Sequence, residues 1–158
     1  MIERYTRPEM AKIWTDQNRF AKMLDVEIYA CEAFAKLGMV PGPALENIRK
    51  KAAFDVKRIQ EIEEKTNHDV VAFIKNISEN IGDDAKYLHF GLTSSDILDT
   101  ALSSQMAEAM DILIKGAEAL KAALKIKAIQ HKKTPMMGRS HGVHAEPTSF
   151  GLKMALFY

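Results

Sequence analysis

Leu98, Leu102, Met106, Met110, Leu113, Ala117, Leu120 and Leu124 recur at three- or four-residue spacing, and no proline falls between Ser94 and Thr134. That period predicts one helix of about 35 residues, roughly 50 Å long at the α-helical rise. Such a helix cannot cover its apolar stripe within a globule of 158 residues. It needs parallel partners of similar length, as in a long bundle. The nine methionines suit such an interior. With 8 Gly and 5 Pro the chain is also poor in turn formers for an all-β protein. The expected fold class is all-α.

The rest of the chain divides at its prolines and glycines. Pro8 is placed as a first helical residue, and Thr15 as the N-cap of a helix running to about Leu37. Phe20, Leu24, Ile28, Cys31, Phe34 and Ala35 give that helix its apolar side, and Gly38 stops it. Helices are predicted over about 43–51, 55–65 and from His68 to just before Gly82. Thr134–Glu146 reads as a loop, after which Pro147 opens an apolar, buried helix over 148–158. Strand evidence is confined to a few residues near Tyr87–Phe90. The last helix has no glycine stop and no polar face of any width. The chain is therefore expected to be a piece of a longer bundle protein, with an N-terminal helical domain over 1–92 and the beginning of a central long-helix domain over 93–158.

Charge and composition exclude several functions. Lys+Arg number 22 against 21 Asp+Glu, so bulk electrostatics make no case for nucleic-acid binding. Cys31 is the only cysteine and cannot form an internal disulfide. No signal-peptide pattern opens the chain, and no apolar run approaches the length of a membrane span. A cytoplasmic, membrane-free protein is the expectation. No Walker loop, G-x-S-x-G or G-x-G-x-x-G occurs.

Four of the five histidines lie beside glycines, hydroxyl residues or carboxylates, and histidine titrates nearest neutrality. Thr66-Asn67-His68-Asp69 opens a helix. It reads either as a capping box from Thr66 to Asp69 or as an anion site at a helix N-terminus with His68 beside it. Gly91-Leu92-Thr93-Ser94-Ser95-Asp96 opens the long helix. Thr93 and Asp96 again fit a capping box, yet three successive hydroxyls would also suit a phosphate or carboxylate. In Gly138-Arg139-Ser140-His141-Gly142-Val143-His144, the glycines permit close backbone approach and Arg139 can pair with an anion. His141 is a candidate general acid or base. A metal held by His141 and His144 is disfavoured, because H-E-x-x-H is missing and no other thiol than Cys31 exists. His131 reads as a basic helix end.

These stretches together resemble the adenylosuccinate lyase family of the fumarase/aspartase superfamily. The resemblance lies in Met1-Ile-Glu-Arg-Tyr-Thr-Arg-Pro-Glu-Met, Thr-Asn-His68-Asp-Val-Val-Ala-Phe, His89-Phe-Gly-Leu-Thr93-Ser94-Ser-Asp, and Met137-Gly-Arg-Ser-His141-Gly-Val-His-Ala-Glu-Pro-Thr. The motifs are collinear and span the chain. Ser140 and Ser149 stand where the family usually has Thr, and both keep the hydroxyl.

The resemblance implies an all-α enzyme with a central bundle shared by four subunits, and active sites built from three of them. The implied reaction is β-elimination of fumarate from adenylosuccinate, and from the related succinylated carboxamide ribotide of purine synthesis, without metal or organic cofactor. It implies that Arg4 and Tyr5 bind the phosphate end of the nucleotide, and that Asn67, His68 and Asp69 contact substrate around base and phosphate. His89 would lie near the phosphate, and Thr93 with Ser94 would hold a succinyl carboxylate. His141 and His68 are the implied catalytic histidines, with His141 the acid that protonates the departing nitrogen. The family's general base is a serine on a Ser-Ser-x-Met-Pro-x-Lys-x-Asn loop far downstream, a pattern not present in these 158 residues. A sister lyase acting on argininosuccinate is the alternative within the superfamily, against which the Arg-Tyr start and the Thr-Asn-His-Asp-Val element argue. A helical assembly fragment that associates without catalysing is the non-enzymatic alternative.

Overall fold

The computed structural model describes residues 2–158; Met1, which begins the first of the four motifs, lies outside the described residues. The elements run α1 (Pro8–Ile13), α2 (Asp16–Lys36), α3 (Gly42–Lys51), α4 (Val56–Thr66), α5 (Asp69–Ile81), α6 (Ser94–Gln130), β1 (Pro135–Ser140), β2 (Val143–Ser149) and α7 (Phe150–Phe157). Short 3-10 turns cover Glu3–Tyr5 and Asp83–Tyr87. The all-α expectation holds, with one small hairpin added. Helix starts follow their side-chain caps: Thr15 accepts Asn18 N–H, and Asp55 accepts Arg58 N–H.

The chain forms two compact units, one reaching Ala109 and one from Met110 onward, with the boundary inside α6. In the first unit the core is built on Phe20 of α2, which stacks on Phe73 of α5 with centroids 5.6 Å apart. Ile48, Ile59, Ile77 and Ile97 close around it, all fully buried. Each such side chain contributes about 1.5–3 kcal/mol by leaving water. From α6 the buried residues are Ile97, Ala101, Gln105 and Ala109, spaced by four. Gln105 earns its buried position by donating from Nε2 to the Ile13 carbonyl at the end of α1 (2.6 Å), a group the helix itself leaves unpaired.

The stripe that predicts the long helix is not the stripe this unit buries. Leu102, Met106, Met110, Leu113 and Leu120 are between 47% and 61% exposed. Ile97 and the small side chains of Ala101 and Ala109 face the core of the first unit, with Leu98 packed at its edge, while Leu102 and Met106 face outward.

In the second unit the loop expected over Thr134–Glu146 is an antiparallel hairpin, pairing Pro135 with Ser149 and Ser140 with Val143. The glycines and prolines that suggest a loop are tolerated because a two-stranded ribbon has two free edges, where a missing N–H costs nothing. The ladder slips by one residue between Met137 and Arg139. There, a Cβ on Gly138 would sit 2.7 Å from the Glu146 carbonyl oxygen, so the bulge requires glycine. Pro147 lies in β2 rather than opening a helix. Ser149 caps α7 instead, accepting from Leu152 N–H. Gly151 lies against the backbone of Ala128 and Lys132, and Phe150 packs its ring edge against His131. Only Gly151 of α7 is buried, while Leu152, Leu156 and Phe157 are exposed, contrary to the expected buried helix. Near Tyr87–Phe90 the backbone forms turns, not a strand.

Candidate active site

Three non-glycine residues have positive φ among the described residues: Asn67 (50°), His89 (58°) and His141 (53°). All three belong to the residues singled out from sequence. Left-handed backbone is uncommon outside glycine, although Asn and His reach it more easily than most, and it concentrates at functional sites.

Asn67 ends α4 in that conformation, and His68 follows as the N-cap of α5. The chain thus turns from one helix into the next within two residues. Thr66 is not the cap expected from the sequence. It is the last residue of α4, and its hydroxyl donates to the His68 carbonyl. The His68 ring replaces it, with Nδ1 accepting from Val71 N–H at 3.4 Å. The same Nδ1 lies 3.5 Å from Asp69 Oδ1. These contacts exclude each other: a neutral ring accepts from the backbone, while a ring protonated at Nδ1 turns to the carboxylate. Asp69 also accepts from Val70 N–H at 2.7 Å.

His89 is the most tightly held of the site histidines. Its N–H donates to Glu27 Oε2 (2.8 Å), and its Nδ1 lies 2.7 Å from Glu27 Oε1. Glu27 is fully buried on α2. One turn further, Cys31 Sγ donates to the Tyr87 carbonyl, and Phe34 meets Phe90 edge-on at 5.5 Å. Glu27, Cys31 and Phe34 follow i, i+4, i+7 spacing, so one face of α2 forms the bed for the segment 87–90. Burial, with the nearby Glu27 charge second, pushes the Cys31 thiol up to about 11.

At the start of α6 the capping box is half made. Asp96 Oδ2 accepts Thr93 N–H at 2.8 Å, but among the described residues the hydroxyls of Thr93, Ser94 and Ser95 have no hydrogen-bond partner. Thr93 and Ser95 are exposed and Ser94 is half-buried, so these hydroxyls are open to water or to a ligand.

His89 and Ser94 line one cleft of about 140 Å³, together with Val70, Val71, Ile74 and Lys75. The structure thus joins the His89 and Thr93-Ser94 motifs to the first turns of α5. His68 and Asp69 stand at the start of that helix without lining the cleft, and Asn67 lies in a separate hollow with Gln60, Glu63 and Glu64. Arg4 and Tyr5 occupy the exposed 3-10 turn, where the guanidinium sits 4.7 Å over the Tyr5 ring.

In the second unit His141 and Gly142 form the two-residue hairpin turn, both with positive φ, as a type I′ turn requires. His141 is exposed and its ring makes no hydrogen bond among the described residues. Beside the hairpin, Met136, Gly138, Arg139, Thr148, Leu152 and Lys153 help line a cavity of about 600 Å³, two of them with cationic side chains. No group of three His, Cys, Asp or Glu side chains converges as metal ligands among the described residues. No helix there is long and apolar enough to cross a membrane.

Sequence reasoning missed Glu27 and Lys75. Glu27 was detectable, because an acid at the apolar positions of α2, between Phe20 and Cys31, is buried only when something pairs with it. Lys75 carried no such signal.

Asn67 and His89 hold left-handed backbone in the first unit, at the end of α4 and in the turn before α6, and His141 does so at the hairpin tip of the second; sequence comparison shows the class to which the chain belongs. The chain matches the Lyase family over residues 3–158 and belongs to it. It is 56% identical over all 158 residues to the adenylosuccinate lyase of Bacillus subtilis and 55% identical to that of Staphylococcus saprophyticus. It spans 37% of the length of each of these curated relatives. Among solved structures, a fumarate lyase from Mesorhizobium sp. BNC1 superposes with a TM-score of 0.88 at 30% identity, over 93% of this chain and 36% of that one. The 3-carboxy-cis,cis-muconate lactonizing enzyme of Pseudomonas putida gives 0.86 at 30%, over 96% and 36%.

Proposed function

We propose that the chain is the N-terminal part of an adenylosuccinate lyase, acting in purine nucleotide synthesis on adenylosuccinate and on the succinylated carboxamide ribotide. The observation that carries this reading is the 55–56% identity over its whole length to proteins of that name. In the reaction a base removes a proton from the succinyl carbon adjacent to the C–N carbon. The C–N bond breaks, its electrons pass to nitrogen, and an acid supplies the proton that nitrogen needs. AMP and fumarate leave, and no external redox partner enters.

His141 is the acid. An exposed turn histidine whose ring has no intramolecular bond can pair with the departing nitrogen. His68, whose side chain caps α5 by accepting Val71 N–H, is the second catalytic histidine and also contacts substrate with Asn67 and Asp69. Thr93 and Ser94 bind a carboxylate through hydroxyls that the cap leaves spare, at the positive end of α6. His89 binds near the phosphate, as do Arg4 and Tyr5. No metal or organic cofactor takes part. The domain boundary falls between 92 and 93, and the outward apolar face of α6 packs against other copies in a cytoplasmic homotetramer.

The whole enzyme containing this chain should convert adenylosuccinate to AMP with release of fumarate, followed by absorbance. Conversion of argininosuccinate instead would replace this reading with the sister lyase. The 158 residues alone should release no fumarate and should self-associate, measured by light scattering in parallel. Turnover by the homogeneous 158-residue chain, or a stable monomer at tens of micromolar, would overturn those two points.

A further inference from the structure

Glu27 is a wholly buried acid on the apolar face of α2, and neither the family motifs nor the proposed chemistry uses it. A buried carboxylate is costly unless donors satisfy it. Here both donors come from one residue, the backbone N–H and ring Nδ1 of His89. With Glu27 as the carboxylate, which can only accept, Nδ1 is the donor of this pair and Nε2 is the ring nitrogen left for a ligand. The backbone bond matters equally, because His89 stands at φ 58° and something must hold it there.

We infer that Glu27 is a positioning residue of the site: it clamps His89 in left-handed backbone with Nδ1–H engaged, so that Nε2 meets the substrate in the cleft shared with Ser94 and Lys75. The inference rests on the proposed lyase reading for the identity of that substrate, but the clamp itself stands on the contacts. Cys31 and Phe34 hold the neighbouring residues Tyr87 and Phe90, and among the described residues the hydrogen bond to the His89 ring comes from Glu27. Glutamine at position 27 would keep the volume but offer one acceptor oxygen for two donors. Its amide would face a donor and force the imidazole to shift tautomer or turn.

The test is a double-mutant cycle in the whole enzyme with E27Q, H89N and the pair, where asparagine keeps access to positive φ. E27Q should raise KM for adenylosuccinate at least tenfold with a smaller change in kcat, and H89N should do the same. The double variant should be no worse than H89N within about twofold, because Glu27 acts through His89. Losses that multiply, or an unchanged KM in E27Q, would overturn the inference. If E27Q does not fold, E27D takes its place in the same cycle, with the same two outcomes. A downfield proton resonance from Nδ1–H, present in the parent and lost in both single variants, reads the clamp independently of turnover. Its absence from the parent overturns the clamp. A parent that shows the resonance but releases no fumarate instead overturns the proposed activity.

Discussion

The cleft of the first unit and the hairpin of the second each present a histidine in left-handed backbone, and they hold it by opposite means. His89 is tied by N–H and Nδ1 to a fully buried carboxylate, on a bed made by one face of α2. His141 is exposed, and its conformation comes from the turn itself, with Gly142 supplying the second positive φ. Packing therefore fixes both backbone and ring at His89, whereas local turn chemistry fixes only the backbone at His141. On the proposed reading the difference suits the roles. A binding group gains from a pre-set orientation, and an acid that must follow a departing nitrogen keeps its ring uncommitted.

The sharpest way to break this comparison is at the hairpin tip. H141N keeps the turn conformation and removes the acid. In the whole enzyme kcat should fall by about 10²–10⁴-fold, while the melting temperature stays nearly unchanged. A variant with parental kcat would remove His141 from the mechanism.

Next in size is G138A. Its Cβ would meet the Glu146 carbonyl at 2.7 Å, a backbone atom that cannot swing away. A loss of about 1–3 kcal/mol is expected, read as faster amide exchange in β1 and β2 with the α2–α5 amides unaffected. Uniform loss across both units would show that the hairpin does not respond separately.

The bed beneath His89 should respond to alkali instead. The unfolded Cys31 thiol ionises near its ordinary value of 9.0, whereas the native thiol holds its proton to about 11. Between those values the native state binds more protons, so its stability falls as pH rises, by at most about 1.4 kcal/mol per pH unit. C31A should flatten that part of the profile in denaturant titrations, and an unchanged slope would show that the thiol is not sequestered.

The smallest effects separate cap from ligand site at α6. D96A removes the acceptor of Thr93 N–H and should cost about 0.5–2 kcal/mol. T93A removes a hydroxyl without a partner, so stability should change by less than about 0.5 kcal/mol while substrate affinity drops. Lost stability with unchanged affinity would return Thr93 to a purely structural role.

Much of this was readable in advance because it is local. Thr15, Pro8, Gly38 and the apolar period place the helices to within about a residue or two, since caps, stops and periodicity act over one turn. The hairpin escapes the sequence reading for an equally local reason: glycine and proline signal turns, and strand pairing within Pro135–Ser149 leaves little trace beyond the turn itself. His-Gly as a two-residue turn was the available clue. At His68 the capping pattern is legible but is placed two residues too early. α4 runs on through Thr66, and a histidine ring does what a hydroxyl was expected to do.

What the amino-acid order determined by itself was the helical class, the long α6, and the polar residues set at helix starts and turns, because each follows from propensity, period or capping chemistry. Tertiary structure decided which face of α6 its unit buries, and that face carries Ile97, Ala101, Gln105 and Ala109 while Leu102 and Met106 stay exposed. It also decided that Glu27, 62 positions from His89, is the group that holds its ring. Burial and pairing are properties of what a folded chain brings together across such separations, and no local pattern carries them.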